Sequence, residues 1–169
     1  MADHEVGSDG STTASHGGHG GHRNSTDYEA RGAYSSVRPH NASELNGFTG
    51  AVVDEAFKLH TKLGHSLLET TYECILERAL IRRGLSVERQ VSCDFVYDGM
   101  LFRRAIRLDL LIENTVVVEL KAEPANQRVH TRQLLTYLRL LNLPLGLLIN
   151  FGVPHLKDGI HRLINVDST

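Results

Sequence analysis

From residue 43 to about 63 the apolar positions Val52, Ala56, Leu59 and Leu63 recur at spacings of four, three and four. That period predicts an amphipathic helix, with Ser43-Glu44 or Asn46 placed to cap its start. Gly64-His65-Ser66 interrupts it. A second helical pattern runs from about Leu67 to Arg83, with Leu68, Tyr72, Ile75, Leu76 and Ala79 on one face and Gly84 at the position of a C-terminal glycine cap. The period then drops to two. Val87, Arg89 and Val91, followed by Phe95-Val96-Tyr97, predict a strand over 86–97. Asp98-Gly99 is a hairpin signal, and a second strand follows over 101–112. A turn at Glu113-Asn114-Thr115 leads to a third strand, 116–121. Helical spacing returns over 127–141 through Val129, Leu134, Tyr137, Leu138 and Leu141, and Pro144 ends it. Leu145 to Phe151 is a fourth, largely apolar strand. The remainder, with Gly152, Pro154 and Gly159, reads as loop with a short terminal element. A helix between the third and fourth strands fits a crossover that sets them parallel.

Residues 1–42 break from this pattern. They are rich in Gly, Ser, Thr and His and almost free of large aliphatic residues, so they cannot bury enough apolar surface to offset the entropy of ordering. They read as a disordered tail ahead of one folded domain, 43–169. His16, His19 and His22 in the tail suit adventitious binding of a transition metal. Asn41-Ala42-Ser43 has the form of a glycosylation acceptor but lacks the secretory context that would give it meaning. The 169-residue chain is 41% hydrophobic and 22% charged, ordinary for a soluble globular protein. No apolar run approaches a membrane span and no signal sequence is visible, so the expected location is the cytoplasm. Cys74 and Cys93 form neither a disulfide framework nor a zinc spacing. The formal net charge of −2 excludes nucleic-acid binding by bulk charge, though not a local basic groove.

Three charges sit badly in this frame. Asp109 interrupts Leu108-Asp109-Leu110-Leu111-Ile112, a run apolar on both faces, and a carboxylate there is costly unless paired, hydrogen-bonded or bound to metal. Glu119 and Lys121 end the apolar strand VVVELK and share a face. Register decides whether Asp109 joins them. A two-residue turn pairs Ile112 with Thr115 and sets Asp109 against Val118. A three-residue turn pairs Asp109 with Glu119 and brings two carboxylates and an ammonium together. Opposed carboxylates repel, which points to a cation between them. Oxygen donors without His or Cys favour Mg2+ or Mn2+. The competing reading is a structural salt bridge of Lys121 with Glu119 or Asp109. Glu69 opens the second helix, and Gln133 and Tyr137 lie four apart on one face of the crossover helix.

Asp109 followed ten positions later by Glu119-Leu120-Lys121, in the order αβββαβ, resembles the PD-(D/E)XK nuclease superfamily. Gln133-Leu-Leu-Thr-Tyr137 is similar to the QxxxY motif of its recombination-type exonuclease branch. More closely, residues 45 to about 164 resemble the GxxExxY protein family through Leu63-Gly64, Leu67-Leu68-Glu69-Thr-Thr-Tyr72, Arg107-Leu108-Asp109, Val118-Glu119-Leu120-Lys121, the Gln133–Tyr137 stretch and Leu147 to Gly152. Ser66 stands where that family's first motif glycine belongs, a departure in the turn that enters the second helix ahead of Glu69. The resemblance implies an α/β, restriction-endonuclease-like αβββαβ core, a mixed sheet flanked by helices. It implies that Asp109 and Glu119 ligate metal with the Leu120 carbonyl, and that Glu69 is a further ligand or orients water. Lys121 is then the catalytic lysine, Gln133 orients it or the scissile phosphate, and Tyr137 supports the site or touches DNA. Arg107, Arg128 and Arg132, among several arginines flanking the site, suit phosphate contacts.

The expected function is a Mg2+- or Mn2+-dependent nuclease acting on nucleic acid, DNA foremost, with no membrane partner. The sequence leaves a homodimer open. The alternative is a catalytically inactive nuclease-fold module that binds nucleic acid or protein.

Overall fold

Asn41 starts the first helix. Its side chain accepts the Glu44 N–H at 3.0 Å while the Glu44 carboxylate accepts the Asn41 N–H at 3.0 Å, a reciprocal capping box. The residue that resembled a glycosylation acceptor is therefore the cap, not Ser43 or Asn46. The computed structural model describes residues 40–123 and 127–166; the tail expected over 1–42, with its histidines, lies outside them up to position 39. Helix α1 spans Ala42–Leu63 and α2 spans Glu69–Arg82. Past α2, Gly84 takes φ 86°, and the Leu85 N–H reaches back to the Leu80 carbonyl at 3.2 Å, as a glycine-terminated helix does.

The strands are β1 (Val87–Tyr97), β2 (Met100–Ile112), β3 (Val116–Lys121), β4 (Leu145–Asn150) and β5 (Ile160–Ile164), with α3 (Gln127–Leu141) between β3 and β4. They form one mixed sheet in the order β1-β2-β3-β4-β5. Only β3 and β4 are parallel, as the α3 crossover requires. The fold is thus α/β and restriction-endonuclease-like. The fifth strand was not foreseen: it pairs antiparallel with β4 after a short turn of 3-10 helix, Leu156–Gly159.

The sheet separates two cores. Val52, Ala56, Tyr72, Leu76 and Leu80 of α1 and α2 pack on Leu110, Ile112, Val118, Leu120, Leu147 and Ile149. On the other face Leu134, Leu138 and Leu141 of α3 pack on Ile106, Leu108, Leu111, Val117 and Leu148. Strands β3 and β4 are covered on both sides, which is why their sequences run apolar without alternation.

Between β2 and β3 the turn is decisive. Glu113 (φ 50°) and Asn114 (φ 53°) adopt the left-handed backbone, and the Thr115 N–H donates to the Ile112 carbonyl at 2.9 Å. That closes a tight turn. Thr115 is then an extra residue, so the ladder resumes as Ile112↔Val116, Leu111↔Val117 and Leu110↔Val118. This is the odd-length register, which sets Asp109 level with Glu119.

Candidate active site

The β2–β3 ladder stops at Leu110↔Val118, and the site lies in the fork beyond it. The Lys121 carbonyl faces β4, where it accepts the Phe151 N–H at 2.6 Å. Successive peptide groups of a strand face opposite edges, so the N–H and C=O of Leu120 face β2. Neither is taken by β2 backbone. The Leu120 N–H donates to Asp109 Oδ2 at 2.9 Å, and the Leu120 carbonyl accepts Lys121 Nζ at 2.8 Å. The fork is held open by side chains that sequence reading singled out for chemistry.

Asp109 and Glu119 are both buried. Glu119 Oε2 lies 4.0 Å from Lys121 Nζ, while Glu119 Oε1 is buried with no hydrogen-bond partner among the described residues. Burial, and then the charge of Asp109, push the Glu119 carboxyl up to about 8 against the pull of Lys121. Glu69 heads α2 with Oε1 3.7 Å from Lys121 Nζ. Its proton affinity is raised by burial, opposed by Lys121 and reinforced by Asp109 and Glu123. Glu69 also lines an open cleft of about 330 Å³ with Ser66, Leu67, Leu68, Ala122 and Glu123, the natural approach to the fork.

Two anchors position these groups. Tyr72 stacks on Phe151, with ring centroids 4.1 Å apart and planes 6° from parallel. Its hydroxyl donates to the Gly64 carbonyl at 2.6 Å and so ties down the loop that delivers Glu69, despite Ser66 in that loop. After Lys121, Asn150 Nδ2 donates to the Glu123 carbonyl at 2.8 Å, and Asn150 Oδ1 accepts the Gly152 N–H at 2.9 Å. A Cβ on Gly152 would lie 2.6 Å from Glu123 N and 2.7 Å from the Ala122 carbonyl carbon, so only glycine lets the chains approach this closely.

A family model described as the PD-(D/E)XK nuclease superfamily matches residues 46–163, well over half of the chain. The chain belongs to the PD-(D/E)XK nuclease superfamily. No curated protein and no solved structure matches it. Membership suggests a nuclease and implies binding of nucleic acid. No helix among the described residues is long and apolar enough to cross a membrane.

Nucleases of this superfamily usually use divalent metals. Asp109, Glu119, Glu69 and the Leu120 carbonyl offer oxygen donors only, the set hard cations prefer. The orphaned buried oxygen of Glu119 and its conflict with Asp109 fit a cation as well. Among the described residues no group of three or more His, Cys, Asp or Glu side chains stands arranged to hold one; Lys121 now occupies the Leu120 carbonyl.

The other expected residues are more dispersed. Gln133 is exposed on α3 and donates to the Tyr137 hydroxyl at 2.9 Å, whereas Lys121 turns to Leu120, Glu69 and Glu119. Arg107, two residues before Asp109, is exposed opposite Ser92 on β1, and Arg128 and Arg132 are exposed on α3. Sequence reading overlooked Glu73, one turn past Glu69 and only 1% exposed. Its proton affinity is raised chiefly by burial, and Asp109 adds to the rise. The signal was the spacing of four from Glu69, which places both on one helix face.

Proposed function

We propose that the protein is a cytoplasmic, Mg2+- or Mn2+-dependent nuclease that hydrolyses phosphodiester bonds of nucleic acid, DNA foremost. Within the superfamily, the Glu69-Thr-Thr-Tyr72 stretch and the motifs after it favour the GxxExxY branch. The observation that carries the proposal is the fork between β2 and β3, where Asp109, Glu119 and Lys121 converge beside Glu69.

Asp109, Glu119 and the Leu120 carbonyl would hold the metal, with Glu69 as a further oxygen donor. The bound metal would supply Lewis-acid activation of water and neutralise charge on the phosphate. Lys121, whose ammonium donates to the Leu120 carbonyl, would neutralise charge as it develops on the phosphate or hold the attacking water. Glu69, at the cleft, orients that water. Gln133, released from Tyr137, orients Lys121 or the scissile phosphate, while Tyr137, Arg107, Arg128 and Arg132 contact the nucleic acid.

The test incubates full-length protein with plasmid, linear duplex, single-stranded DNA and RNA in Mg2+ or Mn2+. Wild type is expected to cleave, and Asp109→Ala to lose at least about a hundredfold, comparable to loss of a key electrostatic group. Equal inactivity of both on every substrate ends the catalytic reading. One observation favours the alternative of an inactive binding module: the Lys121 ammonium already sits on the Leu120 carbonyl between Glu69 and Glu119. Such a module binds nucleic acid or protein equally well in chelator and after Lys121→Ala.

A further inference from the structure

Alternate residues of a regular strand share a face, and β1 and β2 both break that rule at one level, apart from the register shift between Cys93 and Phe95. On β1, Val87 packs with the α1/α2 core, but Val91 and Cys93 pack with the α3 core. On β2, Ile112 and Leu110 belong to the first core, Leu108 and Ile106 to the second. Positions 87 and 91, like 110 and 108, have the same parity. Each strand therefore changes faces between its two cores. The neighbouring pairs Arg89↔Leu110 and Val91↔Leu108 are in register, and the pair between them, Gln90 with Asp109, is not part of the ladder. Both strands switch at the same rung, and that rung carries the site's first carboxylate.

Gln90 adopts φ 56°, a left-handed backbone that a side-chain-bearing residue keeps only when its surroundings impose it. The partner that its side chain meets is Glu73. Gln90 Nε2 donates to Glu73 Oε2 at 2.7 Å, and Arg89 Nη1 reaches Glu73 Oε1 at 3.4 Å. Two consecutive side chains thus meet one carboxylate on α2, which regular alternation forbids. Arg89 is further tied to Glu77 at 3.1 Å. Across the switch, Asp109 is released from cross-strand pairing and its carboxylate takes the Leu120 N–H in the fork.

We propose that Glu73 and Gln90 are a positioning pair for Asp109: the buried Glu73 carboxylate fixes the face switch at the Gln90–Asp109 rung and so aims Asp109 into the fork. Its consequence for metal rests on the nuclease reading above; its consequence for Asp109 does not.

The test uses the full chain. Glu73→Leu removes the acceptor but keeps packing volume. Gln90→Ala removes the amide and leaves a side-chain-bearing residue in the left-handed backbone without its partner, and decides the matter if Glu73→Leu does not fold. The Leu120 backbone amide, read by NMR, reports the Asp109 contact directly, with Asp109→Ala as the reference for its loss. In both variants this resonance is expected to move toward the Asp109→Ala position, and Mn2+ affinity to fall about tenfold, as for groups that orient ligands. Glu73→Gln, which retains an oxygen acceptor for Gln90, restores both. A Leu120 amide at its wild-type position in Glu73→Leu and Gln90→Ala, with wild-type Mn2+ affinity, overturns the proposal. A wild type that binds no Mn2+ counts against the nuclease reading, and the amide alone then decides the positioning.

Discussion

Glu119 keeps a buried carboxylate oxygen that no hydrogen bond reaches among the described residues, and its carboxyl is pushed up to about 8 by burial and then by Asp109. In the unfolded chain the group titrates near 4.3. Between those values the folded state holds a proton that the unfolded state has released, so stability falls as pH rises. In chelator, the thermal midpoint is therefore expected to fall from pH 5 to pH 8, with the stabilisation fully present below the unfolded value. Glu119→Gln, which cannot ionise, should raise the midpoint at pH 8 and flatten the profile; a lower midpoint at pH 8 would show that the charged carboxylate stabilises the fold. The conflict was legible in VVVELK and in Asp109, because carboxylates in apolar strands are costly wherever they sit. Glu73 is legible as a neighbour of Glu69 on one helix face, but not as a partner of Asp109. Its link runs through Gln90, where the strand abandons the alternation by which a sequence is read.

The elements that frame the site are unevenly legible in the sequence, for local reasons. The turn at 113–115 could be narrowed to two registers, and the left-handed pair Glu113-Asn114 with an extra Thr115 decides between them. Strand β5 escaped notice because it is short and at the sheet edge, and its residues Ile160–Ile164 never become fully buried, so no strong period-two signal remains. Gln133 lies on the expected helix, but its helix partner Tyr137 takes its amide, and rotamer choice is beyond a sequence pattern. The clamp of β4 on Ala122 and Glu123 gives a sharp test. Gly152→Ala forces a methyl against backbone atoms and is expected to cost about 1–3 kcal/mol by denaturant unfolding, while also loosening Lys121 and lowering any nuclease activity. Asn41→Ala removes a cap whose partners lie in its own helix. It should cost about 1 kcal/mol and leave activity at its wild-type level. Equal loss of activity in both variants would mean that stability alone governs it.

Across the whole molecule, the two cores grip β3 from opposite faces, while the fork at its end brings Glu69 and Glu119 to one lysine beside Asp109. On the proposed metal-dependent reading the folded chain binds a cation there and the unfolded chain does not, and a ligand that binds only the folded state must stabilise it. At a concentration one hundred times its dissociation constant, Mg2+ or Mn2+ contributes about 2.7 kcal/mol, which for a domain of this size raises the thermal midpoint by roughly 10 °C. Because Glu119 must release its proton to bind, the shift at a fixed metal concentration is expected to be larger at pH 8 than at pH 6. That slope is opposite to the one the same carboxyl imposes in chelator, so the two profiles converge toward low pH. Asp109→Ala should abolish the metal shift without abolishing folding, since it removes one of the two opposed charges. A wild-type midpoint indifferent to both ions across this range would leave Lys121 as the only cation of the fork, and Glu69, Glu119 and Lys121 as a salt-bridged strand end on a nuclease fold.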